Sequence, residues 1–111
     1  MITKYKIFER VNQGEPEGGD YVICKDTTEP EINIFSRKNI GKIIQIEPDL
    51  YPFEYLVKYD SVPYDLKDKI KNKTRHFSRG GRQFSLKEIE YSSKNREDCV
   101  KYLKFKKFNL K

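Results

Sequence analysis

The sequence predicts a mainly β domain, built as a meander of short antiparallel strands and followed by one C-terminal amphipathic helix. Its 111 residues suffice for a single compact domain. Between residues 19 and 91, short runs of β-branched and aromatic residues alternate with Gly, Pro, Asn and Asp, a pattern typical of strands joined by turns. After Ser93 the apolar residues recur at helical spacing instead, which predicts the helix.

The first predicted strand spans residues 20–25, where a Gly-Asp turn precedes the run Tyr-Val-Ile-Cys. Residues 3–11 form either a short strand or a helical turn, because the glycines and proline of 14–19 end both kinds of element. Residues 26–39 are rich in Thr, Asn and Ser and are predicted to form a long polar loop. Three apolar residues of this loop are expected to fold back on the core: Ile32, Ile34 and Phe35.

The clearest strand signal is the run Ile-Gly-Lys-Ile-Ile-Gln-Ile-Glu at residues 40–47. A turn over residues 48–52 leads to the next strand, over 53–60. That strand returns antiparallel, since a connection of about five residues suits a hairpin and not a parallel crossover. Strict alternation along 40–47 predicts two faces, one with Lys42, Ile44 and Ile46 and the other with Ile43 and Gln45.

Residues 61–82 follow as an excursion without strong periodicity, with one helical turn predicted near 65–71. Residues 83–91 then predict a short strand, a turn near 86–88 and a last strand that ends at Tyr91. This excursion is therefore the longest connection between two predicted strands.

The C-terminal helix is predicted over residues 95–105, with Asn95 as its N-terminal cap. Glu97 and Asp98 complement the positive end of the helix dipole, and lysines lie near the other end, where cations are favoured. The helix is expected to pack on the strands, with residues 106–111 as a basic tail. Its apolar face consists of Cys99, Val100, Tyr102 and Leu103.

Four strings of residues together carry a resemblance: Gly-Asp-Tyr-Val at 19–22, Ile-Gly-Lys-Ile-Ile at 40–44, Tyr-Leu-Val-Lys-Tyr at 55–59 and Phe-Ser-Leu-Lys-Glu-Ile-Glu-Tyr at 84–91. In this order they resemble the Src-homology-3-like small β-barrels of the KOW and Tudor type. The resemblance implies a five-stranded antiparallel barrel over residues 19–91, between an N-terminal segment (1–18) and the C-terminal helix and tail (92–111). Gly41 would let its strand coil enough for the barrel to close. The insertion at 61–82 and the appended helix depart from the family pattern.

Positive charge is concentrated in two places. Residues 67–82 carry seven basic side chains and one acidic one, and residues 101–111 carry five basic side chains and none that is acidic. The whole chain has a net charge of +6, so the remainder is acidic, and such asymmetry steers an anionic partner. The chain has no Ala or Trp and many Lys, Asn and Ile, as expected of an AT-rich genome such as that of many large DNA viruses, phages and some low-GC microbes. Arginines are therefore stronger evidence here than lysines.

These features predict a non-enzymatic module that binds nucleic acid mainly through sequence-independent phosphate contacts. The candidates in the insertion have three roles. Phosphates would be clamped by Arg75, Arg79 and Arg82 and steered by Lys69, Lys71 and Lys73. A base of a single strand would stack on Phe77. The candidates on the helix are Lys101 and Lys104. Two simpler interpretations stay open: Gly80 and Gly81 form only a hairpin turn beside solvated arginines, and the helix lysines only complement the helix dipole.

Other binding functions stay open beside this one. The same loop or an exposed strand edge suits a protein-interaction module, such as a viral or phage accessory protein or inhibitor that binds an acidic host protein. A structural component of a particle is a third interpretation, and the oligomeric state is not determined. A Tudor-like aromatic cage for a methylated Lys or Arg is a further alternative, built from Tyr21, Tyr51, Phe53, Tyr55, Tyr59 and Tyr64.

Catalytic and metal chemistry has little support in the sequence. His76 is the only histidine, and there is no phosphate-binding loop or nucleophile elbow, so we expect no enzyme activity, catalytic residue, metal or cofactor. Cys24 and Cys99 are expected to be free, largely buried thiols, with a disulfide or redox role as the alternative. No apolar run approaches the roughly 20 residues of a membrane span, and no secretory signal is recognised. We therefore expect an intracellular protein without a membrane partner.

Overall fold

The computed structural model describes residues 15–69, residue 77 and residues 80–109. Five strands form one sheet in the order β4-β3-β2-β1-β5, and each strand is antiparallel to its neighbours. The strands are β1 (Tyr21–Cys24), β2 (Gly41–Ile46), β3 (Tyr55–Lys58), β4 (Gly81–Phe84) and β5 (Ile89–Ser93). The predicted mainly β, antiparallel fold is confirmed. In the described residues β4 and β5 lie at the two edges of the sheet, so the predicted closure into a barrel is not shown.

Two 3₁₀ turns connect strands that are consecutive in the chain. Pro48–Leu50 lies in the hairpin between β2 and β3, which also contains a cis peptide bond between Tyr51 and Pro52. Leu86–Glu88 lies between β4 and β5, at the position where the sequence predicts a turn. There the Ser85 N–H donates to the Glu88 carboxylate at 3.0 Å.

Three helices accompany the sheet: α1 (Pro30–Ser36), α2 (Tyr64–Lys69) and α3 (Arg96–Asn109). The helical turn predicted near 65–71 corresponds to α2, and the C-terminal helix predicted over 95–105 is confirmed as α3. Helix α1 corrects the prediction of a long polar loop over residues 26–39.

Helix α1 forms because the polar residues before it organise its first turn. The Asp26 carboxylate accepts hydrogen bonds from the N–H groups of Thr28 at 2.7 Å and Glu29 at 2.9 Å. Pro30 occupies the first turn of the helix, where its missing N–H costs nothing. Ile32 is then fully buried, as the sequence predicts for a residue that folds back on the core. The same polar composition that indicates a loop thus also builds a helix start.

Successive residues of β1 point to opposite faces of the sheet, and each face has its own hydrophobic cluster. On the inner face, Val22 and Cys24 join the main core. On the outer face, Ile23 and Tyr91 pack against helix α3. The main core also contains Ile32, Ile43, Tyr55, Val57, Tyr59, Val62, Leu66, Phe77, Phe84 and Ile89.

Helix α3 contacts the outer face through Cys99 and Tyr102, both in the predicted apolar face. The rings of Tyr91 and Tyr102 stack with centroids 4.5 Å apart. Cys99 and Cys24 are both free and buried, which confirms the prediction for the two cysteines. Burial raises the pKa of the Cys99 thiol to about 12, and it raises that of Cys24 further.

A β-bulge changes which residues of β2 share a face. The register between β2 and β3 shifts between Ile43 and Gln45, so that Gln45 pairs with Leu56 on the outer face. Ile46 therefore packs against the main core instead of facing outward with Lys42, and the predicted alternation is wrong beyond Ile43. Gly41 also has a role that the sequence does not reveal, because a Cβ there would collide with the Val57 side chain.

Candidate nucleic-acid interface

The basic segment, residues 67–82, connects α2 to β4 and contains most of the predicted site. Lys71, Lys73, Arg75 and Arg79 lie outside the described residues. Lys69 is the last residue of helix α2. The structure describes the points at which the segment leaves and rejoins the core.

Buried side chains hold the segment at both of these points. Leu66, immediately before it, is 7% exposed, and Phe77 is 3% exposed. Both belong to the main core. The segment then rejoins the sheet through Gly80, whose carbonyl accepts the Tyr59 N–H at 2.9 Å. Residues 67–76 therefore connect two buried residues, Leu66 and Phe77.

The predicted base-stacking role of Phe77 is wrong for this position. Its ring packs edge-on against Tyr59 and Phe35, with centroid distances of 6.0 Å and 5.8 Å. A ring buried among aromatic partners has no free face for a base. Phe77 instead ties the basic segment to the core.

The predicted phosphate contact of Arg82 is also corrected. Its Nη2 lies 2.6 Å from Asp26 Oδ2, and neither side chain is exposed to solvent. The guanidinium carbon lies 4.9 Å from the centroid of the Phe84 ring. Arg82 thus joins β4 to the turn that starts α1, and the Asp26 charge compensates its own.

The surroundings of the Asp26 carboxylate favour its ionised form inside the protein. Burial alone would raise its pKa, but the N–H and hydroxyl of Thr28, the Arg82 guanidinium and the Glu29 N–H outweigh burial and lower the pKa. An ionised carboxylate facing a guanidinium is the arrangement that makes a buried arginine tolerable.

Strand alternation is the sequence signal that would have placed Arg82 correctly. Arg82 and Phe84 are two residues apart in β4, so they share the inner face. The composition of the surrounding segment instead suggested a solvated arginine. The partner, Asp26, had no local signal in the sequence at all.

Lys101 and Lys104 of α3 are exposed, as their predicted role requires. The neighbouring Lys106 has a structural partner, because its Nζ lies 2.8 Å from the Glu90 carboxylate. Glu90 also accepts the Tyr102 hydroxyl. The described residues provide no such carboxylate partner for Lys101 or Lys104, so these two remain the candidates on the helix.

Helix α3 and the anchors of the basic segment lie on opposite faces of the sheet. Leu66 and Phe77 pack into the main core on the inner face, whereas α3 covers β1 and β5 on the outer face. These contacts therefore do not place the basic segment and helix α3 on one face of the sheet.

The six rings considered for an aromatic cage do not meet at one site. Tyr55 and Tyr59 are buried in the main core. Tyr51 and Tyr64 are 79% and 82% exposed, on the β2–β3 hairpin and at the start of α2. Tyr21 faces outward beside the helix.

An open groove lies between α1 and α2, with a volume of about 350 Å³. Its apolar lining includes Ile34, which is 61% exposed and so does not fold back on the core as predicted. The remaining lining residues are Glu31, Phe35, Lys38, Asn39, Pro63, Asp65 and Leu66.

Comparisons of the chain with protein-family models, curated proteins and solved structures found no match. Among the residues that the structure describes, no three His, Cys, Asp or Glu side chains are grouped to hold a metal ion. None of the helices in the described ranges is long and apolar enough to cross a membrane. The site therefore has to be interpreted from its own charges and contacts.

Proposed function

We propose that this protein is a Src-homology-3-like domain that binds nucleic acid without base specificity, chiefly through the basic segment. The strand order supports the fold, since β1 pairs with both β2 and β5 and a short turn leads into the last strand. Fold likeness alone does not imply a function, so the binding proposal rests on the charges.

The proposal rests on the many basic side chains of a segment that buried residues attach to the core. With Arg82 compensated in the core, residues 67–79 still carry six basic side chains and one acidic one. Leu66 and Phe77 fix the segment to one region of the protein. A local excess of cations attracts phosphates and steers their approach, and the chain outside residues 67–82 and 101–111 has a net negative charge.

Fluorescence anisotropy with a labelled oligothymidine of about 20 nucleotides tests this proposal, because single-strand sites cover roughly 4–16 nucleotides. The test variant replaces Lys71, Lys73 and Arg75 by Gln. Each lost phosphate contact lowers the salt slope of log affinity by about 0.7, so the triple variant should lose about 2. A duplex of the same length shows whether single strands are preferred.

The matched control removes three exposed positive charges elsewhere, at Lys38, Lys87 and Arg96. It has the same net charge as the test variant and should keep the wild-type slope. Undetectable wild-type binding at about 50 mM salt, or equal slopes for the two triple variants, would refute the proposal.

The groove between α1 and α2 favours a second candidate, a protein-interaction module. Ile34 lines the groove, and Tyr64, next to lining residues Pro63 and Asp65, is 82% exposed. Exposed apolar side chains beside a groove mark protein contacts more often than phosphate contacts. A partner retained after nuclease treatment, and lost with Ile34→Asp, would support this function over the first.

A further inference from the structure

One row of directly opposed residues crosses the outer face of the sheet. Antiparallel register pairs Ser93 with Tyr21, Tyr21 with Lys42, Lys42 with Lys58, and Lys58 with Gly81. Opposed residues of neighbouring strands point to the same face. The row therefore runs from β5, the strand before α3, to Gly81 in β4, close to the end of the basic segment.

Lys42 and Lys58 form a like-charge pair at the centre of this row. Like charges directly opposite one another destabilise a sheet. Both side chains are exposed, and the described residues place no carboxylate within ion-pair distance of either ammonium group. The Lys42 Nζ lies 5.5 Å from the centroid of the Tyr21 ring, which offsets only part of the repulsion. The backbones of Lys42 and Lys58 are directly opposed, so two unneutralised lysine side chains leave the sheet from neighbouring positions, which suits a ligand with several negative charges.

This part of the outer face is open, whereas its other half is covered. Helix α3 packs over Ile23 and Tyr91. Beyond that cover, Ile44 is 51% exposed beside the lysine pair on β2. An extended ligand can therefore reach both lysines without displacing any described strand or helix.

The lysine pair is also next to the end of the basic segment. The aliphatic stem of Lys58 runs alongside Gly80, where an added Cβ would lie 3.9 Å from the Lys58 Cγ and Cε atoms. At the other end of the row, Tyr21 packs against the cluster beneath α3. The row thus leads from the basic segment toward the helix that carries Lys101 and Lys104.

We propose that Lys42 and Lys58 form a phosphate-binding pair on the open outer face and extend the binding surface from the basic segment toward helix α3. The inference rests on the proposed nucleic-acid function and adds a site to it. The pair takes consecutive phosphates of one strand, and their charges relieve the repulsion between the two ammonium groups.

The test compares the double variant Lys42→Gln/Lys58→Gln with the control Lys38→Gln/Lys87→Gln, using labelled oligothymidine of about 20 nucleotides. Two lost contacts should lower the salt slope by about 1.4 and the affinity by about 25-fold at about 0.1 M salt. The control should retain the wild-type slope. Equal values for the two double variants would overturn the inference.

A single variant separates binding from folding. Lys42→Glu places a carboxylate opposite Lys58, so it should raise the melting temperature while lowering the affinity. A pair of ordinary surface lysines would give the first effect without the second. If the segment variants at Lys71, Lys73 and Arg75 lose binding but Lys42 and Lys58 variants do not, the inference fails and the proposed function stands. If the wild-type protein does not bind, both fail.

Discussion

Replacing Arg82 by Met removes one partner of a buried ion pair, and stability should fall sharply while nucleic-acid binding is retained. The Asp26 carboxylate, 2.6 Å from Arg82 Nη2, would stay buried without its cation. Leaving one charge of such a pair uncompensated costs about 3–5 kcal/mol. For a domain of this size each kcal/mol shifts the melting temperature by about 4 °C, so we expect a fall of about 12–20 °C.

Urea unfolding followed by tyrosine fluorescence measures the change, since the chain has eight Tyr and no Trp. Arg37→Met is the matched control: the Arg37 side chain is 44% exposed, so its contact with Glu90 should contribute at most about 1 kcal/mol. Adding Asp26→Asn to Arg82→Met should recover part of the loss, because the two positions are coupled by about 0.5–3 kcal/mol. A loss below about 1 kcal/mol together with a salt slope lowered by about 0.7 would refute the assignment and restore Arg82 as a phosphate contact.

Two further predictions concern the outer face and the thiols. Burial alone would raise the pKa of Glu90, but Lys106 and the Tyr102 hydroxyl outweigh burial and lower it. The ionised form of Glu90 therefore stabilises the fold above the unfolded pKa of about 4.3. This stability is lost as the pH falls through the folded pKa. Glu90→Gln should cost about 1.5–3 kcal/mol near pH 7. Thermal melts of the two proteins should converge only as the pH falls through the lowered folded pKa of Glu90, whereas a constant difference in stability would contradict the ionic role. Cys99, with a pKa raised to about 12 by burial, and Cys24 should react with a disulfide reagent only as fast as the protein opens. Rapid labelling of either thiol in folded protein would contradict their burial.

Local patterns were sufficient for most of the secondary structure. Strand β1 and the turn at Leu86–Glu88 lie where Gly-Asp spacing and short apolar runs predict them. Helix α3 is found where acidic residues precede an apolar face. These elements depend on neighbours within a few residues, and such neighbours are visible in the sequence. The start of α1 was missed because capping residues and loop residues have the same composition.

The sequence by itself determined the antiparallel strands, the C-terminal helix, the free thiols and the confinement of positive charge to two regions. Only the tertiary structure decided which charges reach solvent. Arg82 is compensated by Asp26, Phe77 is enclosed by core rings, and one bulge moves Ile46 inward. The pairing of Lys42 with Lys58 is likewise a consequence of register. In each case the deciding partner is distant along the chain, and burial and register depend on which distant residues the fold brings together.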